Sequence, residues 1–141
     1  GKGKRVIESS CMKILATIAT IEGTVMKGAM MGRKMGFPTL NVAFDSTDLP
    51  FGVYAARVLT GDGSYKGAMH FGPRKIFGLI EATLEVHLLD FSGDLYGQKV
   101  TIEVLEKIRD TKDFDNMDAL KRQIRYDVDA VRATDIPLKN P

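Results

Sequence analysis

Short apolar runs separated by glycine, aspartate and proline fill most of this chain, and within them apolar and polar positions alternate as in strands with one buried face. Residues 13–25 carry Ile14, Ile18 and Ile21 as their heavier apolar members. Residues 53–59 and 65–71 follow, with Gly61-Asp62-Gly63 between them as a tight hairpin turn. Residues 83–89 and 99–105 form a further pair, bent at Ser92-Gly93-Asp94. Strands spaced this way predict a mainly β domain, an antiparallel sheet that closes into a small barrel. The period then changes. Met117, Leu120, Ile124, Val128 and Val131 recur at steps of three and four behind a cap at Asp115 or Asn116, which predicts an amphipathic helix over 116–133, ended by Pro137.

The whole chain has 141 residues, enough for one domain with a core, and its hydrophobic share of 44% is ordinary for a globular protein. Residues 1–12 are polar and basic and read as a flexible leader or linker, which leaves 13–141 as the domain. No repeat or interior linker divides it. A formal charge of +2 gives no electrostatic reason to expect bulk nucleic-acid or membrane-surface binding, so any basic site is local. One cysteine excludes an internal disulfide, and no run approaches the roughly 18 apolar residues of a membrane span. The expectation is a soluble, cytoplasmic monomer.

Candidate chemistry concentrates in Gly32-Arg33-Lys34-Met35-Gly36-Phe37-Pro38-Thr39-Leu40-Asn41. Glycines let backbone N–H groups close on an anion, the cations neutralise its charge, and a hydroxyl held beside a proline can reach Mg²⁺. The stretch from Gly28 to Lys34 is no P-loop, because its glycine spacing is wrong and no Ser or Thr follows the lysine. Pro38 stiffens the backbone before Thr39, and an extended segment puts Thr39 and Asn41 on one face with Leu40 on the other. Taken alone, Pro-Thr-x-Asn reads as a strand start with an Asx turn.

Leu84-Glu85-Val86-His87-Leu88 alternates, so Glu85 and His87 share the face opposite the three aliphatic side chains. His70 has no partner at metal-ligand spacing, and two histidines with one cysteine do not make a zinc set. Asp90, Asp94 and Asp110 read as turn and cap residues. Arg109 reads as half of a surface salt bridge with Asp110 or Asp113. Tyr54, Tyr65, Phe91 and Tyr96 could stack on a flat ring, although a small barrel places most aromatics in its core.

In order along the chain, several pieces together resemble the riboflavin kinase family, which also occurs as the C-terminal module of bifunctional bacterial FAD synthetases. They are Gly23-Thr24-Val25, Gly28, Gly32-Arg33, Gly36 to Asn41, Leu49-Pro50, Gly52-Val53-Tyr54-Ala55, Glu85 to Phe91, Asp94-Leu95-Tyr96-Gly97, Ile108-Arg109, Phe114, Leu120, Ile124 and Asp127. The resemblance implies a six-stranded antiparallel closed barrel with a C-terminal helix. It further implies transfer of the ATP γ-phosphoryl group to the ribityl 5′-hydroxyl of riboflavin, giving FMN.

Carried onto this chain, the resemblance makes Thr39 and Asn41 the Mg²⁺ and nucleotide residues and Glu85 the catalytic base. Gly28, Gly32, Arg33, Lys34 and Pro38 would enclose the phosphates, and Arg109, Phe91 and Tyr96 would meet the flavin. Phosphoryl transfer asks mainly for alignment and charge neutralisation, plus an acceptor for the alcohol's proton, and a carboxylate ionised at neutral pH supplies the last. The family's Asn-x-Gly-x-Arg-Pro-Thr-like segment is altered here, where Met69 to Phe77 reads Met-His-Phe-Gly-Pro-Arg-Lys-Ile-Phe. A flavin- or nucleotide-binding barrel without catalysis is the alternative that this change raises. A barrel binding single-stranded nucleic acid would want a basic groove with interleaved aromatics, which the modest charge does not supply. FMN adenylylation would need a separate domain, to which this chain could have been fused.

Overall fold

The computed structural model describes residues 16–27 and 38–138. Its strands are β1 (Ala19–Met26), β2 (Thr39–Ala43), β3 (Gly52–Thr60), β4 (Gly63–Gly72), β5 (Thr83–Leu88) and β6 (Lys99–Arg109). A short 3-10 helix (Lys75–Phe77) follows β4, and the helix α1 (Met117–Ala133) follows β6. All neighbouring strands are antiparallel in the order β1-β2-β5-β4-β3-β6, and β6 pairs back onto β1 to close the barrel. Closure removes the unpaired edges of an open sheet. No helix among the described residues is long and apolar enough to cross a membrane.

Alternation along each strand fills the barrel. Ile21 and Val25, Leu40 and Val42, Tyr54, Ala56 and Val58, Leu84, Val86 and Leu88, and Val100, Ile102 and Val104 all point inward and are buried. Gly23 shares that inward set at a place where a Cβ would run into the carbonyl oxygen of Ala43, so β1 and β2 approach closely only with glycine there. Phe71 closes one end, edge-to-face with Phe44 at 5.8 Å and with Phe51 at 5.3 Å between ring centroids.

The first run departs from its sequence reading. The strand begins at Ala19, and of the run's heavier apolar members Ile18 is 54% exposed while Ile21 is buried. A period of two explains this, since Ile18 and Ile21 are an odd number of residues apart and face opposite sides. Ile14 lies outside the described residues.

A second core lies on the outside of the barrel. Ala55 and Ala68 are directly paired on β3 and β4 and almost completely buried, and their small side chains let α1 lie close to the sheet. Leu120, Ile124, Val128 and Val131 supply the helix's side of this layer and Leu89 and Leu105 part of the barrel's. Each such burial stabilises by about 1.5–3 kcal/mol. Asn116 caps α1 by accepting from the Ala119 N–H at 2.9 Å. At the other end the Lys66 ammonium donates to the carbonyls of Arg132 and Thr134, meeting the negative end of the helix dipole.

Candidate active site

The candidate side chains lie on the outer face of the barrel because the inner face is full. With Leu40 and Val42 turned inward, Thr39 and Asn41 point out from β2; with Leu84, Val86 and Leu88 inward, so do Glu85 and His87 from β5. Register then sets the neighbours. Thr39 is paired with His87 and Asn41 with Glu85, while Glu85 is also paired with His70 of β4. The row continues through Val53 on β3 to Arg109 on β6. Directly opposed residues have their Cβ atoms about 4.5–5.5 Å apart, so Glu85 stands next to Asn41 and one diagonal from Thr39.

The charges around Glu85 are arranged in pairs. Its side chain is 13% exposed, and Oε1 accepts from Arg74 Nε at 3.3 Å. Arg74 is 5% exposed, and it is aimed at Glu85 by the turn that leaves β4: Gly72 has φ +149°, Pro73 follows, and the Arg74 carbonyl accepts from the N–H groups of Phe77 and Leu79. Burial lowers the Arg74 pKa, and the Glu85 carboxylate opposes that shift.

Both histidines are buried bases. Burial first, then the Arg74 charge, lowers His87 to about 3, and burial with the charges of Arg74 and Arg109 lowers His70 to about 2. Each is therefore neutral at physiological pH, and so weak a base cannot take a proton usefully there. His87 acts locally instead, through a 2.9 Å hydrogen bond between its Nδ1 and the Thr39 hydroxyl. His70 Nδ1 is buried with no hydrogen-bond partner among the described residues.

Arg109 does not pair with the side chain of Asp110 or Asp113. Its Nε and Nη2 donate to the two carboxylate oxygens of Asp127 on α1, each at 2.8 Å, and Nη1 donates to the Asp110 carbonyl. Gln123 also donates to Asp127, which is 4% exposed. A planar guanidinium matches a carboxylate in this two-pronged way, so the pair fastens α1 to the end of β6. Asp110 pairs instead with Lys107 at 2.6 Å, an exposed contact.

Phe91 and Tyr96 are placed elsewhere. Phe91 packs edge-to-face on Tyr65, with centroids 5.0 Å apart, and Tyr65 lies five residues from His70 along β4, roughly 16 Å. Tyr96 is 56% exposed; its N–H donates to Asp94, and the next residue's N–H donates to the Val25 carbonyl near the end of β1. Gly28, Gly32, Arg33 and Lys34 lie outside the described residues. The segment they belong to leaves β1 after Met26, which is paired with Asn41, and returns at Pro38, whose carbonyl accepts from the Leu88 N–H at 2.9 Å. Both of its ends are thus tied beside Thr39 and Asn41. A cavity of about 240 Å³, lined in part by Met26, Asn41, Phe44 and Thr83, opens next to the same residues.

Sequence reasoning passed over Arg74, His70 and Asp127 as site-forming residues. Asp127 carried a signal, since an acid directly before Val128 and three after Ile124 falls on the apolar stripe of the helix and needs a partner when buried. His70 carried none, because only the register of β4 against β5 brings it to Glu85, and Arg74 reaches Glu85 only through the turn after β4.

Three comparisons bear on what this constellation is. Residues 15–134 match the family model described as Flavokinase, riboflavin kinase. The chain is 40% identical over 112 residues to the RNA-binding riboflavin kinase RibR of Bacillus subtilis, covering 79% of this chain and 49% of that protein. It is 38% identical over 127 residues to the bifunctional riboflavin kinase/FMN adenylyltransferase of Pseudomonas fluorescens, covering 89% and 41%. It therefore spans about half or less of these relatives. The solved riboflavin kinase of Trypanosoma brucei superposes with a TM-score of 0.56 at 28% identity, over 80% of this chain and 76% of that one. The altered segment from Met69 to Phe77 leaves the closed barrel intact, and with a family match that runs from before β1 to beyond α1, this chain belongs to the riboflavin kinase family.

Proposed function

We propose that the chain is an ATP:riboflavin 5′-phosphotransferase and that the outer-face row on β2 and β5 is its phosphoryl-transfer site. The observation that carries this is the pairing of Asn41 with Glu85 and of Thr39 with His87, which puts oxygen donors for a metal-bound nucleotide beside a carboxylate. In the reaction the ribityl 5′-hydroxyl oxygen attacks the γ-phosphorus and its proton passes to Glu85. The bond from γ-phosphorus to the bridging oxygen breaks, and ADP leaves with that electron pair.

Thr39 and Asn41 fit Mg²⁺. Among the described residues no group of three or more His, Cys, Asp or Glu is placed to hold a metal, but Mg²⁺ bound with nucleotide needs only one or two protein oxygens beside phosphates and water. When bound, the ion neutralises phosphate charge as the transfer proceeds. The remaining work belongs to the protein's own residues. Pro38 and the β2 pairing hold Thr39 and Asn41 in place, His87 fixes the Thr39 hydroxyl, and α1, pinned by Arg109 and Asp127, covers one flank.

Gly28, Gly32, Arg33 and Lys34 belong to this proposal as phosphate residues, because their segment begins and ends beside Thr39 and Asn41. A cytoplasmic monomer is part of the same reading. Purified protein given riboflavin, ATP and Mg²⁺ should form FMN and no FAD. A folded protein that forms no FMN would sink the proposal.

A further inference from the structure

We propose that Arg74 is the positioning residue for Glu85, holding one carboxylate oxygen so that the other receives the proton of the substrate alcohol. This rests on reading Glu85 as the base. Three observations support it. Arg74 donates from Nε to Glu85 Oε1 at 3.3 Å, and Oε2 accepts no hydrogen bond from any described residue. The arginine side chain is only 6% exposed and makes no other ion pair or side-chain hydrogen bond among the described residues, so Glu85 is what its charge is buried against. Its backbone is fixed by Gly72, Pro73 and the carbonyl that accepts from Phe77 and Leu79, so the guanidinium approaches Glu85 from a rigid turn.

The neighbours exclude other supports for the carboxylate. His70, opposite Glu85 on β4, makes no hydrogen bond to it, and the Arg109 guanidinium is already engaged by Asp127 and the Asp110 carbonyl. A carboxylate on an outer strand face with no anchor would sample several rotamers, and displacement of a reacting group by about 1 Å can cost on the order of 10²-fold in rate. One N–H bond to Oε1 restricts the side chain and leaves Oε2 unoccupied. Lysine would not replace it, because a flexible ammonium lacks the planar fork and its fixed donor directions.

The test is a cycle built from Arg74→Ala and Glu85→Gln, read as kcat, as KM for riboflavin and ATP, and as rescue by added guanidinium chloride against sodium chloride at equal concentration. Arg74→Ala should lower kcat by about 10²-fold while both KM values stay within about twofold, and guanidinium should restore part of the rate. In the Glu85→Gln background the same substitution should cost nothing further, and guanidinium should have no effect. Should Arg74→Ala fail to fold, Arg74→Lys carries the same cycle with the charge retained and is expected to lose rate in the same pattern. Wild-type kcat in the folded Arg74 variant, or an equal loss in both backgrounds, overturns the proposal. Near-normal turnover of Glu85→Gln alone overturns the base assignment instead, and the two failures are thereby distinguished.

Discussion

Two neutral imidazoles flank the carboxylate at the centre of the site, and their neutrality has a measurable consequence. His70 is held at about 2 against an ordinary 6.5, so between those values the unfolded chain binds a proton that the folded one does not. Its contribution to stability is complete above the unfolded value and is lost as pH falls toward the folded one. His70→Asn removes that proton, and stability by urea denaturation should then fall less steeply below about pH 6.5, by up to roughly 1.4 kcal/mol per pH unit. Identical slopes in variant and wild type would show that His70 is not a buried neutral base. At Thr39, truncation to alanine should weaken Mg-nucleotide binding by about tenfold or more, as read by titration calorimetry. Unchanged affinity would take Thr39 out of the metal site. The outward direction of Glu85, Thr39 and Asn41 is legible in the sequence, because alternation alone assigns a face. His70 is not, since a residue's cross-strand neighbour depends on register between distant segments, and Arg74 is not, since the turn after β4 carries it to Glu85.

Among the elements, α1 was the most legible. Its apolar stripe and its end at Ala133 follow from local spacing and are found, and of the two caps that the sequence offers, Asp115 and Asn116, the structure uses Asn116. What the stripe does not show is the partner of Asp127, and the short-range alternatives for Arg109 miss it for the same reason. The pair lies between a strand end and a helix, with side chains 17% and 6% exposed. Removing one partner of such a pair leaves a buried charge alone, so Asp127→Ala should destabilise the fold by about 3–5 kcal/mol in urea denaturation. A loss below about 1 kcal/mol would mean that the apolar layer alone holds the helix. Strand limits were less readable. β6 runs on to Arg109, past its apolar run, because it stays paired with β3 through two register shifts, between Val53 and Tyr54 and between Ala55 and Ala56.

On the scale of the whole molecule, the barrel is a scaffold whose interior is given to packing and whose outer face carries the proposed site. Composition and turn spacing foretell a closed antiparallel barrel, yet they do not show that β2 neighbours β5, and the site depends on that crossover. The order of short motifs that the family resemblance uses therefore marks residues far apart in sequence that one register brings together. The central claim is that Glu85, beside Asn41 on this face, takes the proton of riboflavin's ribityl hydroxyl as phosphate is transferred. It is tested most directly by the rate of FMN formation from riboflavin and Mg-ATP in wild type and Glu85→Gln, with nucleotide affinity measured alongside. The account predicts a loss of about 10²–10⁴-fold in kcat with nucleotide affinity retained, and a Glu85→Gln enzyme turning over near the wild-type rate would contradict it.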